Sequence, residues 1–124
     1  MRILLVNPPI YDVRFDWARW HQPCGLLQVG SLLRARGNDV QLIDCLQPDN
    51  GNRVQRRKLD AIPVEGLALR RWSFGLTWDQ IEERIAELKE EKWKPDAIYV
   101  ACMMTFWWEG ARDLIRKLRE QLAV

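Results

Sequence analysis

A single histidine and three cysteines with no C-x-x-C pair leave this 124-residue chain little from which to build a zinc site, since a structural site takes about four thiolate and imidazole ligands. The cysteine count is odd, and Cys24, Cys45 and Cys102 lie far apart with no export signal ahead of them. That usage is expected of reduced thiols in a cytoplasmic protein. Met1-Arg2 runs straight into Ile3-Leu4-Leu5-Val6 and then two prolines, so neither the apolar h-region nor the cleavage site of a signal peptide is present. No apolar run approaches the ~20 residues of a membrane-spanning helix. Charge of one sign is lacking too: 19 Lys and Arg against 17 Asp and Glu leave a net +2. The molecule as a whole therefore has no strong bias toward nucleic acid or lipid. Neither G-x-G-x-x-G nor G-x-x-x-x-G-K-[ST] occurs, which removes both familiar phosphate cradles. No internal repeat is visible.

What is present is a chain 48% hydrophobic with seven tryptophans, enough for one core and not for two. Residues 2–6 (Arg-Ile-Leu-Leu-Val) form a continuous apolar run stopped by Asn7-Pro8-Pro9. Such a run suits a strand covered on both faces, as in a parallel sheet, and proline ends its ladder. Residues 10–24 read as a long irregular loop. A helix is expected over residues 25–36, with Leu26, Leu27, Val29, Leu32 and Leu33 on one broad face and Gly37-Asn38 ending it. A short strand over residues 40–43, closed by Asp44, completes a strand–helix–strand unit, and in such units the strands are parallel.

Over residues 47–75 the periodicity dissolves, and an irregular, basic insertion is expected there. It contains the turn-rich Pro48-Asp49-Asn50-Gly51-Asn52 and the cluster Arg53, Arg56, Arg57 and Lys58. That cluster either solvates a loop or meets phosphates or an acidic partner face. Periodicity returns with the capping box Thr77-Trp78-Asp79-Gln80 and the helical spacing of Trp78, Ile81, Ile85 and Leu88. Pro95 stops that helix, residues 97–102 read as a third buried strand, and a third helix over residues 109–122 packs Leu114, Ile115, Leu118 and Leu122. Three strands and three helices are fewer than a doubly wound sheet carries, so the chain reads as a fragment of a longer protein. An unpaired sheet edge would then favour self-association.

In open α/β sheets, ligands bind beyond the carboxyl ends of the strands. Three loops should meet there, starting at Asn7, Cys45 and Met103, and two of them are aromatic. Tyr11, Trp17 and Trp20 lie in the first, Phe106, Trp107 and Trp108 in the last. These rings either close the core under long loops or cover a flat, partly apolar ligand or a partner domain. Asp44 stands where dinucleotide folds place a ribose-binding acid, but without the glycines it reads first as a solvated strand-end or turn residue. His21 and Cys24 are the remaining candidates for a base or nucleophile, and neither has an identifiable partner in sequence.

Several segments together resemble the start of cobalamin-binding-domain radical SAM proteins. They are residues 1–9, ending Asn7-Pro8-Pro9; Pro23-Cys24-Gly25-Leu26-Leu27; Ser31 to Gly37; Val40 to Cys45; Phe74-Gly75-Leu76; Lys94-Pro95-Asp96; and Met103-Met104-Thr105-Phe106-Trp107-Trp108, leading to Gly110. The resemblance covers nearly the whole of residues 1–124, with the insertion at 47–75 matching least. It implies a flavodoxin/Rossmann-like three-layer α/β domain with a parallel sheet, incomplete at three strands, that offers a cobalamin to a following radical SAM barrel. Carried over by position, it implicates Asn7, Pro8, Pro9, Pro23, Gly25, Met104, Thr105 and Phe106 in holding the corrinoid. The family's D-x-H-x-x-G motif is absent: His21 is one residue too far from Gly25, and Arg19 stands in the Asp position. The implied cobalamin thus takes no histidine from that motif on its cobalt. The C-x-x-x-C-x-x-C motif for the iron–sulfur cluster is also missing, so the cluster and S-adenosylmethionine would belong to the rest of the parent protein. This chain alone is not expected to be catalytic. The rival expectations are an α/β interaction module that docks a partner domain through its aromatic edge, and a small enzyme using Cys24 or His21.

Overall fold

The computed structural model describes residues 1–13, 19–48 and 51–124. Its centre is β1 (Arg2–Asn7), the middle strand of a three-stranded sheet. Strand β3 (Asp39–Asp44) lies parallel to it on one side and β8 (Ala97–Val100) on the other. The unbroken apolar run of β1 follows from burial on both faces. Leu4 and Val6 point into a core shared with two helices, α2 (Trp78–Glu90) and α3 (Trp108–Leu122), while Ile3 and Leu5 point at a third, α1 (Cys24–Ala35). The fold is mixed α/β.

The helices form where local chemistry starts them. Ahead of α2 the Gln80 amide donates to Thr77 Oγ1 at 3.3 Å, and the Gln80 side chain accepts from the Thr77 amide at 2.9 Å. The capping box is therefore complete, an N-cap hydroxyl being worth about 1 kcal/mol. Ile81, Ile85 and Leu88 meet Leu114, Leu118 and Leu122 of α3 in the main core. Ile115 faces outward instead. On the other side of the sheet the face expected for α1 narrows: Leu26 and Leu33 pack on Ile3, Leu5 and Val40, with Gly30 buried between them, while Leu27, Val29 and Leu32 are exposed. One helix on a three-stranded sheet presents only one stripe to it, so a face as broad as five positions cannot all be covered.

The described parts of residues 10–24 and 47–75 depart from the irregular structure expected of them. Ile10–Asp12 is strand β2, and the insertion holds β4 (Arg56–Lys58), β5 (Ile62–Val64), β6 (Leu67–Leu69) and β7 (Trp72–Phe74). Strand β7 pairs antiparallel with β2 and β4, and β5 pairs with β6. Each strand is three residues long, too short for an alternating pattern to register. The β5–β6 turn is Glu65-Gly66, both at positive φ, as in a type I′ hairpin, where Asn or Asp would normally announce the first position. Trp17, Asp49 and Asn50 lie outside the described residues. Among the described residues no helix is long and apolar enough to cross a membrane.

Candidate functional site

A cleft opens at the carboxyl ends of β1 and β8. It is lined by Asn7, Pro8, Pro9 and Ile10 on one side, by Ala101, Cys102, Met103 and Trp107 opposite, and by residues 19–23, Leu46 and Val54 around its mouth and back. Its volume is about 80 Å³, room for a few water molecules or a small ring edge and not for an enclosed macrocycle.

Two close approaches build the cleft. The last strand residue, Asn7, is followed by two prolines whose rigid backbone turns away from the sheet. Helix α3 then approaches so closely that a Cβ built on Gly110 would fall inside the Pro9 carbonyl. At the back, Gly75 adopts φ +118° and leaves no room for a side chain beside the Cys45 carbonyl, which accepts the Leu76 amide at 2.7 Å.

Asp44 ties the loops together. Its carboxylate accepts from Asn7 Nδ2 at 2.8 Å, Trp20 Nε1 at 2.9 Å and the Leu46 amide at 3.0 Å. Asp44 is the strand-end residue that opens a turn, its carbonyl accepting the Gln47 amide at 3.2 Å, and three acceptor positions of its carboxylate are committed inside the fold. It is a clasp between the first and second strand-end loops. Trp107 makes the matching connection on the other wall. It is buried with Ile10, Val54 and Phe74, and its Nε1 donates to Asp12 Oδ2 at 3.2 Å.

Of the residues implicated by resemblance, Asn7, Pro8, Pro9 and Pro23 line the cleft. Gly25 lies in the exposed first turn of α1, with nothing within 4 Å of where a Cβ would stand. Met104, Thr105 and Phe106 are exposed on the rim rather than in the lining. Residues 105–107 form a single turn of 3-10 helix, and such a turn directs one side chain in three inward; here that side chain is Trp107. His21 lines the cleft beside Gln22 and Pro23. Cys24 and Cys102 are exposed free thiols, and Cys45 is buried, where burial pushes its thiol well above the ordinary range. Among the described residues no group of three or more His, Cys, Asp or Glu is placed to hold a metal ion.

Sequence reasoning placed Trp20 at this edge and missed Ile10, Leu46 and Val54 as wall residues. For Val54 the available signal was an apolar residue isolated in a basic segment, which a short bridge to Arg19 draws against the core.

Behind Trp107, the Tyr11 hydroxyl donates to Asp113 Oδ2 at 3.2 Å. Burial first, then the Asp113 carboxylate, push the phenol up to about 12 from 10.0, against smaller opposing pulls from Arg57 and Arg112. A raised folded value favours the neutral form. Its contribution is therefore whole below pH 10 and is lost as pH rises from 10 to about 12. The loss should amount to on the order of 2 kcal/mol in urea titrations across that range. Tyr11→Phe should abolish this component; an unchanged alkaline slope would refute the assignment.

With the geometry established, comparison adds no identity: no family model, curated protein or solved structure matches this chain.

Proposed function

We propose that this chain is a corrinoid-binding domain of flavodoxin/Rossmann type, which positions a cobalamin for a radical SAM barrel lying outside these residues. One observation carries the reading: the cleft sits where a parallel α/β sheet receives ligands, and its two walls are the Asn7-Pro8-Pro9 turn and the segment from Cys102 to Trp107. A flat ring too large for the cleft would lie across its mouth. There Met103, Met104 and Phe106, at 74%, 43% and 51% exposure, offer an apolar rim. Asn7, Pro8, Pro9 and Pro23 would bound the group entering the cleft. The Thr105 hydroxyl and the exposed amides at the start of α1, around Gly25, would serve the ring's polar side groups. When bound, a corrinoid supplies its cobalt to the parent enzyme; the residues here bind and orient it, and they exclude water from the side they cover.

The test is retention. Protein mixed with hydroxocobalamin and desalted should carry corrin absorbance in the visible spectrum at close to one equivalent. A spectrum with no corrin bands sinks the reading. The same exposed rim, joined by Trp108 at 52% exposure, favours a second reading in which these rings dock a partner domain. That reading gains if corrin is not retained.

A further inference from the structure

We propose that Arg19 and Arg53 form a phosphate clamp at the mouth of the cleft, so that the ligand received there is one that carries a phosphate group. The ligand's ring rests on the corrinoid reading; the anion site does not.

Arg19 and Arg53 face each other on an isolated antiparallel bridge, whose backbone is tied next door by the Trp20 amide donating to the Asn52 carbonyl at 2.7 Å. Residues opposed on such a bridge project to the same face with Cβ atoms about 5 Å apart, and like charges placed so repel. Several other guanidinium groups are engaged. Arg34 donates to the Val40 carbonyl, Arg70 to the Leu59 carbonyl, and Arg71 and Arg112 to the carboxylates of Glu109 and Asp113. Among the described residues the side chains of Arg19 and Arg53 have no hydrogen-bonded or ion-paired partner. Arg19 itself lines the cleft, and no Asp or Glu is among the described lining residues. Asp44, the carboxylate tied to Trp20 next to Arg19, is already committed to Asn7, Trp20 and Leu46.

An anion between the two groups turns their repulsion into attraction. The guanidinium fork fits phosphate oxygens two at a time, which a carboxamide or an apolar ring does not reward. The phosphodiester of a nucleotide-tailed corrinoid has this chemistry, and so has any phosphate ester small enough to reach the mouth.

The experiment uses the whole chain at low ionic strength, where surface electrostatics are least screened. Inorganic pyrophosphate is titrated by calorimetry into the native protein, the double variant Arg19→Gln/Arg53→Gln, and Arg36→Gln, an exposed arginine at the end of α1. The native protein and Arg36→Gln should bind alike, and the double variant about tenfold or more weaker. Circular dichroism checks that all three are folded. No binding to the native protein, or equal binding to the double variant, overturns the clamp.

A second arm compares hydroxocobalamin with cobinamide, which lacks the nucleotide tail and its phosphodiester. Hydroxocobalamin should bind more tightly, and the double variant should lose that preference. If both corrinoids bind and the double variant changes nothing, the clamp is wrong and the corrinoid reading stands. If pyrophosphate binds through the two arginines and neither corrinoid is retained, the clamp stands and the corrinoid reading falls.

Discussion

Replacing Gly110 by alanine should destabilise the protein by about 3 kcal/mol or more, near the upper end of what overpacking does. Secondary-structure propensity alone gives the opposite sign. Gly110 lies inside α3, and alanine there should gain up to about 1 kcal/mol. The contact decides the matter: a Cβ on residue 110 would overlap the Pro9 carbonyl oxygen, a backbone atom and not the end of a flexible side chain. Pro9 cannot yield easily, because Pro8 and Pro9 have fixed φ and Ile10 beyond them is paired to Phe74. Either α3 withdraws, opening the packing of Leu114 and Leu118, or the Pro9 turn shifts and deforms the cleft. Thermal unfolding should show a fall on the order of 10 °C. Gly25→Ala is the internal control. It too is helical, but its new methyl meets nothing within 4 Å, so its melting temperature should hold or rise slightly. If Gly110→Ala behaves like Gly25→Ala, the close seating of α3 on the Pro9 carbonyl is wrong, and with it the geometry of one wall.

The parts of the fold legible in the sequence were those whose signals are local. The run Ile3 to Val6 announces burial on both faces because every residue is apolar, and β1 is indeed sandwiched. The start of α2 is written in Thr77 and Gln80, three residues apart. The parts that escaped depend on partners distant in sequence. Strand β2 exists because Ile10 finds Phe74, and β4 because Arg56 finds the same residue from the other side. Three residues of Ile-Tyr-Asp or Arg-Arg-Lys carry no pattern of their own. The breadth of α1's apolar face misled in the opposite direction, since hydrophobicity says what a residue tolerates and only the sheet's width says what is covered.

The site divides along the same line. That a cleft would open at the strand ends was legible, because the topology of a parallel sheet dictates where strand-end loops gather. Residues of both the Asn7 and Met103 loops line it. Which side chains of the second loop face inward was not legible, because that depends on the phase of one 3-10 turn. Asp44 illustrates the limit: its partners stand 37, 24 and 2 residues away, and only their convergence turns a strand-end acid into a clasp.

Trp107 tests whether that second wall is structural or merely adjacent to the core. Truncation to alanine should remove about 3–5 kcal/mol, a large share of the roughly 5–15 kcal/mol that holds a domain of this kind together. The indole is 4% exposed and packs with Ile10 and Phe74 of the antiparallel sheet and with Val54, which follows the bridge residue Arg53. It also stacks edge-on against Phe106, the ring centroids 5.4 Å apart. Trp107→Phe separates ring burial from the hydrogen bond to Asp12, keeping most of the volume and losing the donor. It should cost about 1–2 kcal/mol, well short of the alanine variant. Urea midpoints for the two variants measure the split directly. Equal losses would assign the effect to the indole N–H and Asp12, and negligible losses in both would show that the antiparallel sheet and its neighbours stand without this ring. The graded result carries a consequence for the site. Met104, Thr105 and Phe106 precede Trp107 in the same turn, so the tryptophan that anchors the turn also determines where the exposed rim is held. On the proposed corrinoid reading, Trp107→Phe should therefore remain folded and retain hydroxocobalamin, while any Trp107→Ala protein that stays folded should lose it.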